Sequence, residues 1–249
     1  MLEIILLSIT QGITEFLPVS SSAHLILISK FINFNNENLS LDISLHFGSL
    51  LAVLFFFKKE ILNFLSNKSL FLKIIIASLP TIIFGYLLIK LNIIDQLRNI
   101  KLIGFTTIFF GLLLYISDKS DAHKNTINNF NIKDSVYIGL AQILSLVPGV
   151  SRSGITITCA RFLNYNRIES AKISFLLSIP TLLVVCSYNI IKIVQLNNLQ
   201  ISLQNFWGII LSFIFSLITL KIFINFVKKF SLIFFVFYRI ILGLLIFTL

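Results

Sequence analysis

Two stretches of this 249-residue chain carry side chains suited to phosphoryl-group chemistry. The first reads Gln11-Gly-Ile-Thr-Glu15-Phe-Leu-Pro18-Val-Ser20-Ser21-Ser22-Ala-His24. The second reads Gln142-Ile-Leu-Ser-Leu-Val-Pro148-Gly149-Val-Ser151-Arg152-Ser153-Gly154-Ile-Thr156. Gln11 and Glu15 stand four residues apart and share a helix face, and Ser20 or Ser21 shares a face with His24 by the same kind of spacing. A serine hydroxyl can attack phosphorus and an imidazole can move the proton. An arginine fork such as Arg152 can hold phosphate oxygens two at a time. A helix starting at each serine cluster adds free backbone N–H groups and partial positive charge, which suits an anion. Glu15, Ser21, His24 and Arg152 are thus the candidate catalytic set. Gln11, Ser20, Ser22, Ser151, Ser153, Gly154 and Thr156 are candidate binding residues around them.

The elements that position these residues must lie in a bilayer. Hydrophobic residues make up 57% of the chain and charged residues only 12%, where a soluble domain carries about 25% charged. Apolar runs near the ~20 residues needed to cross a hydrocarbon core occur at about 41–57, 69–91, 102–117, 173–192, 206–225 and 231–249. Two further apolar regions, about 1–28 and 136–163, are broken in the middle by the Pro, Gly and Ser of the two motifs. Non-helical backbone at membrane depth is tolerated only where protein or a watery cavity satisfies it, so the two breaks mark a cavity.

The halves echo each other. Each break has a Gln, a Pro six or seven residues on, then Val-Ser-x-Ser, and Asp42-Ile-Ser44 falls 130 residues before Lys172-Ile-Ser174. The expected fold is an all-α polytopic membrane protein with six full spans and two re-entrant helical hairpins in an inverted repeat. The repeats cover about 1–117 and 136–249 of one membrane domain, joined by a linker at 118–135. The net charge of +10 fits this arrangement. With residues 58–68 inside, thirteen Lys and Arg between Lys58 and Lys229 fall on the inner side. Lys30, Lys90, Arg98, Lys101 and Lys192 fall outside, as the positive-inside rule requires. Both termini then lie outside and the mixed-charge loop 118–134, with His123, lies inside as a solvated linker. No basic stripe or basic-aromatic module points to nucleic acid. Cys159 and Cys186 read as small buried hydrophobes, and the start of the chain lacks the basic region of a cleavable signal.

Each feature also has a bland explanation. A serine before a helix is ordinarily an N-cap, a proline a kink, and an interior histidine a satisfied core residue. Glu15 and Arg152 are harder to dismiss, because ionisable groups deep in a membrane are functional by default. An ion pair between them without chemistry is the competing reading. Arg239, on the last span beside Tyr238, reads as structural or snorkelling.

The Gln11-to-Ser21 motif together with Pro148-Gly-Val-Ser-Arg-Ser-Gly-Ile-Thr156 resembles the undecaprenyl-diphosphate phosphatase family of the bacitracin-resistance type. The likeness runs nearly end to end, including Gly48-Ser49-Leu-Leu-Ala-Val, Ser178-Ile-Pro180 and Tyr238-Arg239. It implies hydrolysis of undecaprenyl diphosphate to recycle the lipid carrier of peptidoglycan, at a site open to the outer face of the bacterial plasma membrane. It implies a divalent cation such as Mg²⁺. It also implies Glu15 with Gln11 as the acidic-motif pair, Ser21 as proposed nucleophile, His24 as acid/base and Arg152 as phosphate clamp; the residues themselves leave both Ser21 and His24 as candidates for the covalent attack. The family allows Glu or Gln at position 11, and Gln offers a metal no negative charge, so metal binding rests on Glu15 and the diphosphate itself. The partners expected are the polyprenyl diphosphate and the bilayer, with a homodimer as the protein partner considered. A flippase for a lipid phosphate is the rival, since it would use the same arginine and helix ends; the Ser21/His24 pair favours the enzyme.

Overall fold

A computed structural model describes residues 2–32, 39–64, 68–93, 96–120, 122, 127–195 and 203–248; His123 lies outside these residues. Among them are eleven α-helices and no strand: α1 Leu2–Thr14, α2 Ser21–Ile32, α3 Leu39–Phe56, α4 Lys58–Phe64, α5 Lys68–Lys90, α6 Ile100–Asp118, α7 Ile132–Ile143, α8 Arg152–Phe162, α9 Arg167–Gln195, α10 Leu203–Val227 and α11 Ile233–Phe247. Four segments, Lys68–Lys90, Ile100–Asp118, Arg167–Lys192 and Leu203–Val227, are long and apolar enough to cross a membrane. Their outer faces expose Phe84, Tyr86, Phe105, Phe109, Ile218 and Ile222, side chains at home in lipid and out of place in water. The chain is a multi-pass, all-helical membrane protein. Helices α3 and α11, expected as spans over 41–57 and 231–249, form shorter apolar helices.

Small residues let the helices approach closely. The Gly48 Cα faces the Ile209 carbonyl so tightly that a Cβ there would sit 2.4 Å from the oxygen. Beside it Ser49, Ser212 and Ser216 link α3 to α10 through hydroxyl–hydroxyl bonds of 3.1 and 3.0 Å. This is how membrane helices associate when lipid tails are as apolar as leucine.

Both broken segments fold back on themselves. Ile4 and Leu7 of α1 share a cluster with Leu25 and Ile28 of α2, so the start of one arm lies beside the later part of the other. In the second segment, Tyr165 just beyond α8 donates its hydroxyl to Asp134 in the first turn of α7, at 2.6 Å. The breaks themselves match 131 residues apart. Ser20 and Ser151 hold positive φ, 75° and 70°, a conformation that costs a non-glycine residue about 1–3 kcal/mol. Each hydroxyl accepts from the backbone N–H three residues on, Ala23 at 3.4 Å and Gly154 at 3.1 Å. Each also bonds the serine two residues on, at 3.2 and 3.1 Å.

The connection at 118–134, expected as a solvated linker, exposes Lys119, Asn129 and Lys133 but is anchored at its ends. Asp118, Phe130 and Asp134 are buried. Asp118 accepts both Nε and Nη2 of Arg167, at 2.7 and 3.0 Å, and the Leu232 backbone N–H at 2.9 Å. Arg161 donates to the carbonyls of Asp118, Ser120 and Tyr165. A carboxylate with several donors in reach is drawn out of water, so the described part of the loop ties three helix ends together.

Candidate active site

The two breaks meet. Arg152, at the start of α8, forms a hydrogen-bonded ion pair with Glu15, just past the end of α1. Ser153 donates its hydroxyl to the Leu17 carbonyl at 2.7 Å, a second stitch between the segments. A third stitch is Arg239 of α11, which is fully buried. Its Nη1 donates to the Pro18 carbonyl at 3.3 Å, its Nη2 to Gly149 and Val150 at 2.8 and 3.0 Å, and its Nε to Thr107 at 3.0 Å. Carbonyls freed by a helix break need a donor at membrane depth, and one guanidinium serves both breaks. Of the two roles expected for Arg239, the structural one holds; a side chain with no exposed surface does not snorkel. Gly149 is dictated by the same packing, because φ is +91° and a Cβ would lie 2.1 Å from Thr106 Oγ1.

Three donors converge on the Glu15 carboxylate. Besides Arg152, Ser21 Oγ donates to Oε2 at 2.9 Å and Gln11 Nε2 to the same oxygen at 3.1 Å. Ser21 and Glu15 are thus paired as nucleophile and proton acceptor must be. A cavity of about 200 Å³ opens beside them, lined on one side by Glu15, the three serines of the first break, Ser151 and Arg152. Its other side is formed by His46 of α3, Thr81 of α5, Ser145 and Leu146 beyond α7, and Thr181, Leu182 and Val185 of α9. The lining is mostly hydrophilic, with Leu146, Leu182 and Val185 as its apolar part, and such a mixture suits a ligand with both a charged and an apolar portion.

Some candidate residues face elsewhere. His24 does not line the cavity: Nδ1 bonds the Ser20 carbonyl at 2.6 Å, Nε2 bonds the Tyr238 hydroxyl, and the two rings stack. Thr156 lies inside α8, bonding Ser174 Oγ and the Arg152 carbonyl, each at 2.8 Å. Gly154 backs onto Arg239, 2.8 Å from where its Cβ would stand. Gln11 lies behind Glu15, wholly buried.

Sequence reasoning missed His46 and the threonines. His46 Nδ1 bonds the Asp42 carbonyl at 2.9 Å, with the Asp42 carboxylate at 3.5 Å. The Thr81 hydroxyl is buried without a partner although it borders the cavity. A signal existed: Ser78-Leu-Pro80-Thr81 and Ser178-Ile-Pro180-Thr181 repeat one pattern on α5 and α9.

Among the described residues no three His, Cys, Asp or Glu side chains group to hold a metal ion. Glu15 is the carboxylate of the cavity, and Gln11 Oε1, four residues before it, is buried without a hydrogen-bond partner. Gln11 lies outside the cavity lining and the Glu15 oxygens already accept from Arg152, Ser21 and Gln11, so the residues make no cage and a hard cation would be held chiefly by the diphosphate and water, with Glu15 beside it.

Residues 4–245 match the family model described as bacitracin resistance protein BacA. A protein named undecaprenyl-diphosphatase from Pelagibacter ubique is 46% identical over 252 residues, spanning 99% of this chain and 96% of the relative. Proteins of the same name from Saccharophagus degradans and Jannaschia are 37% and 36% identical, covering 100% and 97% of this chain and 97% and 95% of their own lengths.

Proposed function

The chain belongs to the bacitracin resistance protein BacA family, and from that membership and the site we propose that it hydrolyses undecaprenyl diphosphate to undecaprenyl phosphate and phosphate. The observation that carries the reading is the chain Ser21–Glu15–Arg152, which joins a hydroxyl, a carboxylate and a guanidinium across the two breaks. A carrier that only moves a lipid phosphate needs the guanidinium but has no use for a hydroxyl paired with a base.

The distal phosphate sits at the starts of α2 and α8, where Arg152 and the serine-capped turns supply donors. Ser21 Oγ attacks phosphorus and passes its proton to Glu15. The bridging P–O bond breaks, and undecaprenyl phosphate leaves with the electron pair. The prenyl chain departs past Leu146, Leu182 and Val185. Thr81 offers a spare hydroxyl to a phosphate oxygen. Ser20, Ser22 and Ser151 hold the turns that border the phosphate, and Ser153, Gly154 and Thr156 build the start of α8 from behind. A divalent cation such as Mg²⁺, held mainly by the diphosphate with Glu15 beside it, would neutralise charge on the diphosphate. His24, expected as the acid/base, instead holds the Ser20 carbonyl next to the nucleophile, as its ring contacts suggest.

The proposed architecture is six spans and two re-entrant hairpins, with repeats of about 1–117 and 136–249. The folding back of each broken segment and the matched serines support it. The proposed setting is the bacterial plasma membrane with the cavity open to the outer face, and a homodimer is the proposed assembly. Recycling of the carrier would serve cell-wall synthesis and give bacitracin resistance. Phosphate release from polyprenyl diphosphates by the purified protein, with and without EDTA, tests the reading. Release that EDTA suppresses is expected, and no release from any polyprenyl diphosphate would overturn it.

A further inference from the structure

We infer that His46, held by Asp42, is the base that activates water in the second half of the reaction. The inference rests on the phosphatase reading and on attack by Ser21. That attack leaves a phosphoseryl group and a protonated Glu15. Glu15 then cannot take a second proton, and a phosphoserine does not hydrolyse at a useful rate without a base for the incoming water. Among the described residues, the titratable side chains lining the cavity are Glu15, His46 and Arg152. Arg152 presents only N–H donors and has no lone pair for a proton, which leaves His46.

The geometry suits that task. His46 Nδ1 faces the Asp42 carbonyl at 2.9 Å, a contact only an N–H can make there, so Nδ1 carries the proton and Nε2 keeps its lone pair. Asp42, with its carboxylate 3.5 Å from the same nitrogen, stabilises the ring once it is charged. The imidazole is 19% exposed, open on the cavity side. His24 offers no such nitrogen, since both of its ring nitrogens are engaged and it lies outside the cavity. The step balances as follows. His46 Nε2 takes a proton from water while the water oxygen bonds phosphorus. The P–Oγ bond of Ser21 breaks with its electron pair going to Oγ, which recovers its proton from Glu15. Phosphate leaves, and His46 gives its proton to solvent.

The two half-reactions separate in a rapid-quench experiment on the purified full chain, using a polyprenyl diphosphate labelled in its terminal phosphate. His46→Gln and His46→Asn are both made, and a variant is read if it binds the labelled lipid as wild type does. Label is expected to accumulate on the protein to about one per chain while release of phosphate slows about 10²–10⁴-fold. Adding Ser21→Ala should remove the label. Release at the wild-type rate from a His46 variant overturns the inference, and so does loss of label and release together. If wild type itself releases no phosphate, the phosphatase reading fails first, and the two failures are thereby told apart.

Discussion

Ser21 donates its hydroxyl hydrogen to the Glu15 carboxylate across 2.9 Å, although the two residues belong to opposite arms of one broken segment. Pro18 and the positive-φ turn at Ser20 bring the arms together so that a hydroxyl and a carboxylate face one another. Glu15→Gln keeps the shape and the Arg152 contact but removes the base. Phosphate release should fall about 10²–10⁴-fold, with binding of a labelled polyprenyl diphosphate retained. Ser21→Ala should abolish release while weakening binding by only ~0.5–1.5 kcal/mol, the worth of one neutral hydrogen bond. Normal hydrolysis by Ser21→Ala would reduce the serine to a helix cap.

Arg152→Lys tests the clamp. Charge is preserved but the planar fork is lost, and an ammonium cannot hold Glu15 and two phosphate oxygens together. Most activity should disappear in a protein that still inserts into the membrane. Near wild-type turnover would end the clamp role.

The Thr81 hydroxyl is buried, unpartnered and beside the cavity. Thr81→Val should raise the substrate concentration for half-maximal rate about two- to tenfold, the equivalent of ~0.5–1.5 kcal/mol. Thr81→Ser should stay near wild type. Identical behaviour of the Val and Ser variants would show that the hydroxyl does not meet the substrate.

Membrane sidedness is open to cysteine labelling in intact cells after replacing Cys159 and Cys186 by Ser. Lys101→Cys, at the start of α6, should react with an impermeant thiol reagent, and Lys119→Cys, just past its end, should not. Both positions are exposed. The opposite pattern would turn the molecule over.

The breaks were legible in the sequence because Pro, Gly and Ser at membrane depth conflict with the surrounding apolar runs, and a conflict of that kind survives without coordinates. The arms began where the serines said they would. His46 was not legible: a histidine one turn from an aspartate on an apolar helix carries no mark of what stands opposite. The contacts of His24 were not legible for a related reason. Its helix spacing from Ser20 was read correctly, but its ring is captured by Tyr238, 214 residues away in the chain. At the start of the 118–134 loop the solvated reading missed the burial of Asp118, which Arg161 and Arg167 reach from more than forty positions downstream. Local pattern fixes where a chain bends; it does not fix which distant donor fills the bend.

Arg239→Lys should lower thermal stability more than any single change in the cavity. Lysine cannot reach four carbonyls at once, and each buried acceptor left bare costs about 1–3 kcal/mol. A melting temperature equal to wild type, measured in detergent, would show that other donors satisfy the breaks.

That same guanidinium sets a schedule for the newly made chain. Pro18 belongs to the first break and Gly149 and Val150 to the second, yet the donor they share arrives on α11, the last described helix. While the earlier helices enter the bilayer, these carbonyls wait without it. Both breaks are therefore fully satisfied only once α11 docks against α6. A chain that stops short of α11 leaves the Pro18, Gly149 and Val150 carbonyls without the donor they share.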